Sequence, residues 1–331
     1  MLYSKIPTNY KEVCQSDLNI ENKIRSNLFA WNGQFSPQFV EILLNKYSDS
    51  MDVVFDPFLG SGTTLYEAAR KGISAFGVEL NPSAYYMARI YQLINVRLDE
   101  RKYIVDKIEC LLQDIEKNDE IIFSLTKYLN NNNDKSSEVL GTLVVLMDFS
   151  KNEPSLDLLN SKWLNLKETI LALPYCENRI SAVMGDARDV PFKDNTASLL
   201  ITSPPYINVF NYHQKYRKSV ELLGYDVLKI AKREFGSNRK HRSNRFLTVI
   251  QYCIDMALSI NEAIRVCKAG SRMIYVVGRK SHVLGYSFCN SQLIYELATE
   301  IFNLPFGIKQ ERVFKNRFGQ MIFEDILHFY N

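Results

Sequence analysis

Four consecutive residues near the middle of the chain could bind an amino group attached to an aromatic ring. Ser203-Pro204-Pro205-Tyr206 follows an apolar run at 198–202. A ring-conjugated amino group is a poor nucleophile because its lone pair is delocalised into the ring. The Ser203 hydroxyl and the Pro204 carbonyl could accept its hydrogen bonds, the prolines would fix both directions, and Tyr206 could stack on the ring. Taken alone, however, two prolines after a strand usually mark only a rigid stop.

A second segment could hold an anionic or polar ligand against the backbone. Asp56-Pro-Phe-Leu-Gly-Ser-Gly-Thr-Thr64 lies between a predicted strand and a predicted helix. Its glycines permit positive φ, and the free N–H groups at the start of the helix favour a carboxylate or phosphate. Leu65 breaks the dinucleotide pattern G-x-G-x-x-G, and the lysine of a nucleoside-triphosphate loop is missing.

Acidic residues end the next two predicted strands. Glu79 is placed to accept hydrogen bonds from both hydroxyls of a ribose, and Asp186 should point into the same crevice and suits an adenine amino group. A ligand with a carboxylate, a ribose and an adenine but no required phosphate fits S-adenosylmethionine better than NAD. A surface glutamate at a strand end is the simpler alternative for Glu79.

Alternating strands and helices must position these segments. The pattern predicts strands over 52–55, 74–80, 180–184, 198–202 and 271–277, and a terminal antiparallel hairpin over 308–314 and 321–327. Helices are expected over 63–71, after Asn81 and over 246–268, with a turn at Gly270. The expected class is therefore α/β, with a right-handed crossover and a seven-stranded mixed sheet.

The chain is expected to form one catalytic domain over residues 1–331. A region at 97–176 with helical periodicity is predicted to be an insertion, either a cover for one face of the sheet or a substrate-docking element. A segment at 207–250 is rich in basic residues: from 211 to 250 there are ten lysines and arginines against three acidic residues. Following the tetrapeptide, with tyrosines interleaved, it is a candidate phosphate-binding region rather than only a solvated face.

Composition excludes several classes of protein. The 331 residues are 46% hydrophobic and carry a net charge of only +3, which excludes intrinsic disorder and a histone-like basic coat. No stretch approaches the roughly 20 apolar residues of a membrane span, and the first residues lack the apolar core of a signal peptide. The six cysteines are dispersed and the histidines lack metal-ligand spacing, so we expect no metal site and a cytoplasmic location.

Together, these motifs resemble those of the S-adenosylmethionine-dependent DNA amino-methyltransferases, which modify N4 of cytosine or N6 of adenine. Residues 56–64 are similar to the cofactor loop, 77–82 to the ribose-binding segment, 203–206 to the catalytic tetrapeptide and 25–37 to the segment over the methionine end of the cofactor. The resemblance extends over most of the chain from about Ile24, apart from the insertion and the part after Tyr206. It implies a class I (Rossmann-like) methyltransferase fold.

The resemblance also assigns residues. The implied catalytic residues are Ser203, Pro204, Pro205 and Tyr206. The implied cofactor-binding residues are Trp31, Phe35, Asp56, Pro57, Phe58, Gly60, Ser61, Gly62, Thr63, Thr64, Glu79, Leu80, Asp186 and Ala187. The candidate DNA-binding residues are Lys215, Arg217, Arg239, Lys240, Arg242 and Arg245.

Serine at the first tetrapeptide position resembles the pattern of the enzymes that methylate N4 of cytosine, whereas aspartate or asparagine is typical of those that methylate N6 of adenine. The expected reaction is therefore transfer to N4 of a flipped cytosine in duplex DNA, with adenine-N6 as the alternative. The resemblance further implies a restriction-modification or DNA-marking role and a companion endonuclease. An RNA amino-methyltransferase and a catalytically silent DNA-binding subunit are the remaining hypotheses.

Overall fold

The computed structural model describes residues 2–118, 120–207, 211–236, 244–315 and 319–331. Its strands are β1 (Val53–Asp56), β2 (Ser74–Glu79), β3 (Ile180–Met184), β4 (Ala197–Thr202), β5 (Cys267–Gly278), β6 (Lys280–Val283), β7 (Tyr286–Cys289), β8 (Phe306–Lys315) and β9 (Met321–Tyr330). Its α-helices are α1 (Gln15–Asn19), α2 (Pro37–Tyr47), α3 (Thr63–Arg70), α4 (Pro82–Arg89), α5 (Leu98–Asn118), α6 (Ile121–Asn131), α7 (Lys135–Met147), α8 (Leu156–Ala172), α9 (Arg217–Leu222), α10 (Val227–Ala231), α11 (Phe246–Val266) and α12 (Asn290–Glu296).

Seven of the described strands form one mixed sheet in the order β3-β2-β1-β4-β5-β9-β8. The first five pair in parallel, β9 runs antiparallel to β5, and β8 completes a hairpin with β9. This strand order is that of the class I, Rossmann-like methyltransferase fold, so the predicted fold class is confirmed. The carboxyl ends of β1, β2, β4 and β5 meet at one edge, which brings the predicted site segments together.

Successive residues of each central strand face opposite sides of the sheet. Val54 packs into one core with Leu65 of α3 and Leu143 of α7, whereas Phe55 packs into a second core with Met256 of α11. Helices therefore cover both faces, as a mainly parallel sheet requires. Each strand has apolar residues on both sides for this reason.

The helices predicted over 97–176 are present as α5 to α8. They share a core with α4, because a Cβ added to Gly141 would lie 2.3 Å from the Tyr86 ring and the Thr142 hydroxyl donates to the Tyr86 carbonyl at 2.7 Å. The amide of Phe149, just after α7, donates to the Ser219 hydroxyl of α9 at 3.1 Å. These helices thus support the start of the basic segment, which carries α9.

Two local predictions were wrong. Helix α11 ends at Val266 rather than Lys268, and β5 begins at Cys267 instead of Ser271. Gly270 has φ of +80° but lies within the strand, where the pairing with β4 shifts register, so it forms an irregularity and not a turn. The small β6–β7 hairpin was also not expected from the sequence.

None of the described helices has both the length and the apolar character needed to cross a membrane.

Candidate active site

A cavity opens at the carboxyl edge of the sheet, with about 830 Å³ of empty space including part of its mouth. Its wall includes these predicted site residues: Trp31, Phe35, Pro57, Phe58, Gly60, Thr63, Glu79, Leu80, Asp186, Ala187, Ser203 and Pro205. Residues of the capping segment, the glycine loop, two acidic strand ends and the tetrapeptide therefore share one cavity.

The glycine loop brings its backbone close to this cavity. Gly60 and Gly62 have φ of +53° and +88°, in the left-handed region that favours glycine. A Cβ at Gly62 would lie 2.8 Å from the Tyr91 ring and 2.9 Å from the Ala88 Cα, so the loop packs directly against α4 and the segment that follows it. Only a residue without a side chain allows this approach.

Asp56 is buried behind the cavity wall and joins three elements. Its carboxylate accepts hydrogen bonds from the Thr64 hydroxyl and the Thr202 hydroxyl, both at 2.7 Å, and from the Phe58 amide at 3.0 Å. Burial raises the pKa of this carboxyl to about 6, against the lowering effect of those hydrogen bonds. Asp56 and Thr64, both predicted to bind cofactor, are thus placed to fix the loop between β1, α3 and β4.

Glu79 presents a carboxylate to the cavity from the end of β2. The Gly60 amide donates to its Oε2 at 2.8 Å, and the Asn81 amide donates to its Oε1 at 2.7 Å. Burial raises the pKa of Glu79 to about 7 in spite of these two hydrogen bonds. Each oxygen uses one lone pair in this way and keeps another for a ligand.

The segment preceding α2 forms a roof over the glycine loop. Trp31 stacks nearly parallel to Tyr212 and Tyr216, at centroid distances of 5.9 and 6.4 Å. A Cβ at Gly60 would lie 3.4 Å from the Trp31 ring, so the indole covers the loop closely. The ammonium of Lys215 lies 5.2 Å from the Trp31 ring and donates to the Ala30 carbonyl at 2.9 Å.

Side chains of the roof segment bind the loop and α3. The Ser61 hydroxyl donates to Gln34 at 2.6 Å, and the Thr63 hydroxyl donates to the Asn27 side chain at 2.7 Å. Arg25 forms an ion pair with the buried Glu67 of α3 at 2.8 Å. The hydroxyls of Ser61 and Thr63 are therefore engaged in holding the roof, although both residues were predicted for direct cofactor binding.

The tetrapeptide spans from the cavity to the end of the sheet. Ser203 and Pro205 line the cavity, Pro204 is buried, and the Tyr206 hydroxyl donates to Glu324 Oε1 at 3.2 Å. The Tyr206 ring packs closely against Gly278, since a Cβ there would lie 2.5 Å from the ring. Burial, the Glu324 charge and this hydrogen bond raise the pKa of Tyr206 well above its ordinary value, despite an opposing hydrogen bond with Ser203. Tyr206 is thus a neutral, anchored ring.

Asp186 reaches the cavity, but arginines already bind its carboxylate. Arg188 donates from Nε at 2.8 Å and from one terminal nitrogen at 2.6 Å, and Arg233 donates at 3.0 Å. Burial alone would raise the pKa of Asp186, but the Arg188 hydrogen bonds outweigh it and the pKa lies below the usual range. An adenine amino group would therefore have to share these oxygens.

Three aromatic or charged residues of the cavity wall lie outside the predicted site motifs, namely Tyr212, Glu234 and Phe235. Phe235 packs edge-on against Phe58 at 5.1 Å. All three belong to the segment considered for its basic charge and its interleaved tyrosines as a phosphate-binding region, in which Glu234 is one of three acidic residues. No local spacing distinguishes them, because they approach the cavity only through the tertiary fold.

The predicted DNA-binding residues are described only in part. Arg217 forms an ion pair with Glu221 one turn away at 2.8 Å, and Arg245 is half-buried before α11. Lys215 holds the roof, as described above. Arg239, Lys240 and Arg242 lie outside the described residues. Among the residues that are described, no group of three or more histidine, cysteine, aspartate or glutamate side chains could hold a metal ion.

Comparisons with known proteins agree with the motifs. A family model described as DNA methylase, of the N6/N4 methyltransferase type, matches residues 5–89. The type II methyltransferase M.MjaII of Methanocaldococcus jannaschii is 28% identical over 177 residues, 50% of this chain and 30% of that protein. M.BsoBI of Geobacillus stearothermophilus, also a type II methyltransferase, is 22% identical over 281 residues, 63% of this chain and 55% of that protein.

The chain therefore spans between about a third and about half of the length of these relatives. Among solved structures, an S-adenosylmethionine-dependent methyltransferase from Methanosarcina mazei matches with a TM-score of 0.42 and 11% identity, over 87% of this chain and 96% of that one. The matches to the family model and to the curated relatives confirm the resemblance carried by the motifs.

Proposed function

We propose that this protein, which resembles the DNA amino-methyltransferases of the N4/N6 family, transfers a methyl group from S-adenosylmethionine to an exocyclic amino group of a DNA base. The observation that carries the proposal is the single cavity lined by the glycine loop, by Glu79 and by Ser203. A cofactor site and an amino-binding site must adjoin for direct transfer, because no covalent enzyme intermediate connects them.

The residues present fit S-adenosylmethionine. Glycines 60 and 62 let the ligand approach the backbone, Glu79 offers acceptors to the ribose, and Trp31 covers the loop. When bound, this cofactor supplies an electrophilic methyl group on a positively charged sulfur. The carboxyl groups of Glu79 and Glu234 on the cavity wall favour a cationic ligand.

The tetrapeptide would prepare the amino group. The Ser203 hydroxyl and the Pro204 carbonyl accept hydrogen bonds from its two N–H groups. These bonds draw the nitrogen toward a tetrahedral geometry with an available lone pair. Tyr206, fixed by Gly278 and Glu324, supports the plane of a base that has been rotated out of the duplex. The two prolines hold both acceptors in place, so little reorganisation accompanies the reaction.

We propose cytosine N4 as the target, because the first tetrapeptide residue is serine; adenine N6 is the second candidate. We further propose a role in restriction-modification or a related marking of host DNA, in the cytoplasm, with a cognate endonuclease as companion. The free thiols of all six cysteines are compatible with that reducing compartment.

Transfer of labelled methyl groups to DNA tests the proposal. Purified protein is incubated with S-adenosylmethionine labelled in the methyl group and with duplex DNA or RNA, and the labelled nucleoside is identified by mass spectrometry. From DNA, we expect labelled N4-methyl-2′-deoxycytidine. Label in N6-methyladenine would support the second candidate, and label in RNA alone would contradict the DNA assignment.

Variants of the tetrapeptide test its role. Ser203→Ala and Tyr206→Ala should each lower turnover about tenfold or more, while calorimetry shows nearly unchanged cofactor binding. Ser287→Ala, at an exposed position of β7, is the matched control and should retain full turnover. Loss of cofactor binding in Tyr206→Ala would contradict the proposed role of that ring.

A further inference from the structure

One asparagine connects two carboxylates on the cavity wall. The Asn81 backbone amide donates to Glu79 Oε1 at 2.7 Å, and its side-chain nitrogen donates to Glu234 Oε1 at 3.3 Å. The Asn81 side-chain oxygen accepts from the Ser83 amide at 2.9 Å, which fixes the orientation of the side chain at the start of α4. Two glutamates that are 155 positions apart in the chain therefore face one ligand space.

The position of Glu234 is fixed from its other oxygen as well. The buried His213 side chain binds Glu234 Oε2 at 2.9 Å, and the Glu234 side chain is only 8% exposed. Burial raises the pKa of Tyr212, and the charges of Glu79 and Glu234 raise it further, so both carboxyl groups act on the same neighbouring side chain. Glu234 is held in place by these contacts rather than turned toward solvent.

Two buried carboxylates on one cavity wall repel each other unless a proton or a hydrogen-bond donor lies between them, and beyond the larger effect of burial the Glu234 charge accordingly contributes to the raised pKa of Glu79. In the contacts described above, each oxygen of Glu79 and of Glu234 has one hydrogen-bond partner from the protein. A carboxylate oxygen can accept two hydrogen bonds, so each of these oxygens can accept another from a ligand. A vicinal diol presents two O–H donors on adjacent carbons. With two carboxylates on the same wall, each can accept one of these two hydrogen bonds.

We propose that Glu234 is a second ribose-binding residue, so that Glu79 and Glu234 each accept a hydrogen bond from one hydroxyl of the cofactor's ribose. This inference rests on the proposed function, since it concerns the same cavity. It assigns residues 211–236, which precede the basic run at 239–245, a part in cofactor recognition. Hydrogen bonds from both hydroxyls to this pair of glutamates would make the cavity prefer a ribose over a deoxyribose.

Calorimetric binding of S-adenosylhomocysteine and of its 2′-deoxy and 3′-deoxy analogues tests the inference without DNA. A hydrogen bond to a charged group contributes about 1.5–3 kcal/mol, so the wild type should bind each deoxy analogue roughly 10- to 150-fold more weakly. Glu234→Gln should bind S-adenosylhomocysteine about tenfold more weakly and lose discrimination against one analogue. Glu79→Gln should lose discrimination against the other.

Controls separate this role from a merely structural one. Glu221→Gln, an exposed position in the same segment, should bind all three ligands as the wild type does. Glu234→Asp keeps the charge but withdraws the carboxylate, and should show the same selective loss if it folds with an unchanged circular dichroism spectrum. A Glu234→Gln variant that discriminates against both analogues as strongly as the wild type overturns the inference alone. A wild type that binds no S-adenosylhomocysteine overturns both the inference and the proposed function.

Discussion

Replacing Gly278 by alanine should disable the support that we propose Tyr206 gives to the base, without changing the cofactor site. A Cβ at this position would lie 2.5, 2.8 and 2.9 Å from three carbons of the Tyr206 ring, whereas carbon atoms in contact prefer about 3.5–4.0 Å. The ring must therefore move by about 1 Å. Gly278 does not require positive φ, so alanine itself suits the strand backbone.

The structure indicates that this movement matters. Gly278 pairs in register with Glu324, and Glu324 accepts the Tyr206 hydrogen bond, so one strand pair provides both the surface and the anchor of the ring. A misplacement of about 1 Å at a reacting group can lower the rate about 100-fold. We expect a loss of that order in the single-turnover rate of methyl transfer at saturating cofactor and DNA.

The assay includes two comparisons. S-adenosylhomocysteine binding to Gly278→Ala should match the wild type. Tyr206→Phe keeps the ring but removes the hydrogen bonds of its hydroxyl with Glu324 and Ser203, and should lose about five- to tenfold in rate. In a Tyr206→Ala background, Gly278→Ala should have no further effect, since both changes act through one ring. A Gly278→Ala rate within about threefold of the wild type would refute the reasoning.

Three further changes give distinct results. Burial raises the Glu79 pKa from 4.5 to about 7, so this group favours folding of the ligand-free protein at low pH and loses that contribution as the pH rises through 7. Cofactor affinity should instead rise from pH 6 to 8, because the ionised carboxylate is the better hydrogen-bond acceptor. Glu79→Gln should flatten the pH dependence of stability in thermal melts and that of affinity in calorimetry. Gly62→Ala should destabilise the fold by about 3 kcal/mol or more, whereas Gly72→Ala, also at positive φ but with open space around it, should cost only about 1–2 kcal/mol in denaturant unfolding. The pair Arg242→Ala and Arg245→Ala should reduce the slope of log affinity against log salt by about 2 in DNA-binding titrations, and an unchanged slope would remove both from the interface.

The parts of the fold that could be predicted are those with local signals. The strand before Asp56, the glycine turn and the terminal hairpin each carry a pattern within a few residues, and the structure has all of them. The start of β5 could not be located, because Gly270 signals a turn locally. The pairing with β4 and the hydrogen bond from the Gly270 amide to the Asn331 carbonyl keep the strand continuous. Local preference was overridden there by the sheet.

The same division applies to the site. Glu79 and Ser203 end strands in recognisable motifs, and both line the cavity. Ser61 shows the limit: its hydroxyl suits a ligand in sequence, but Gln34 accepts it in the structure. Contacts with Asn81 and His213 hold Glu234 at the cavity, and the residues near Glu234 in the sequence do not predict these contacts.

The roof of the cavity has a consequence for synthesis of the protein. Trp31 comes early in the chain, but it stacks on Tyr212 and Tyr216, and Phe235 also lines the cavity. A ribosome-bound chain that has released only the glycine loop therefore lacks most of the enclosure around a ligand. Affinity for small molecules should emerge late during translation, once roughly two thirds of the polypeptide has left the exit tunnel.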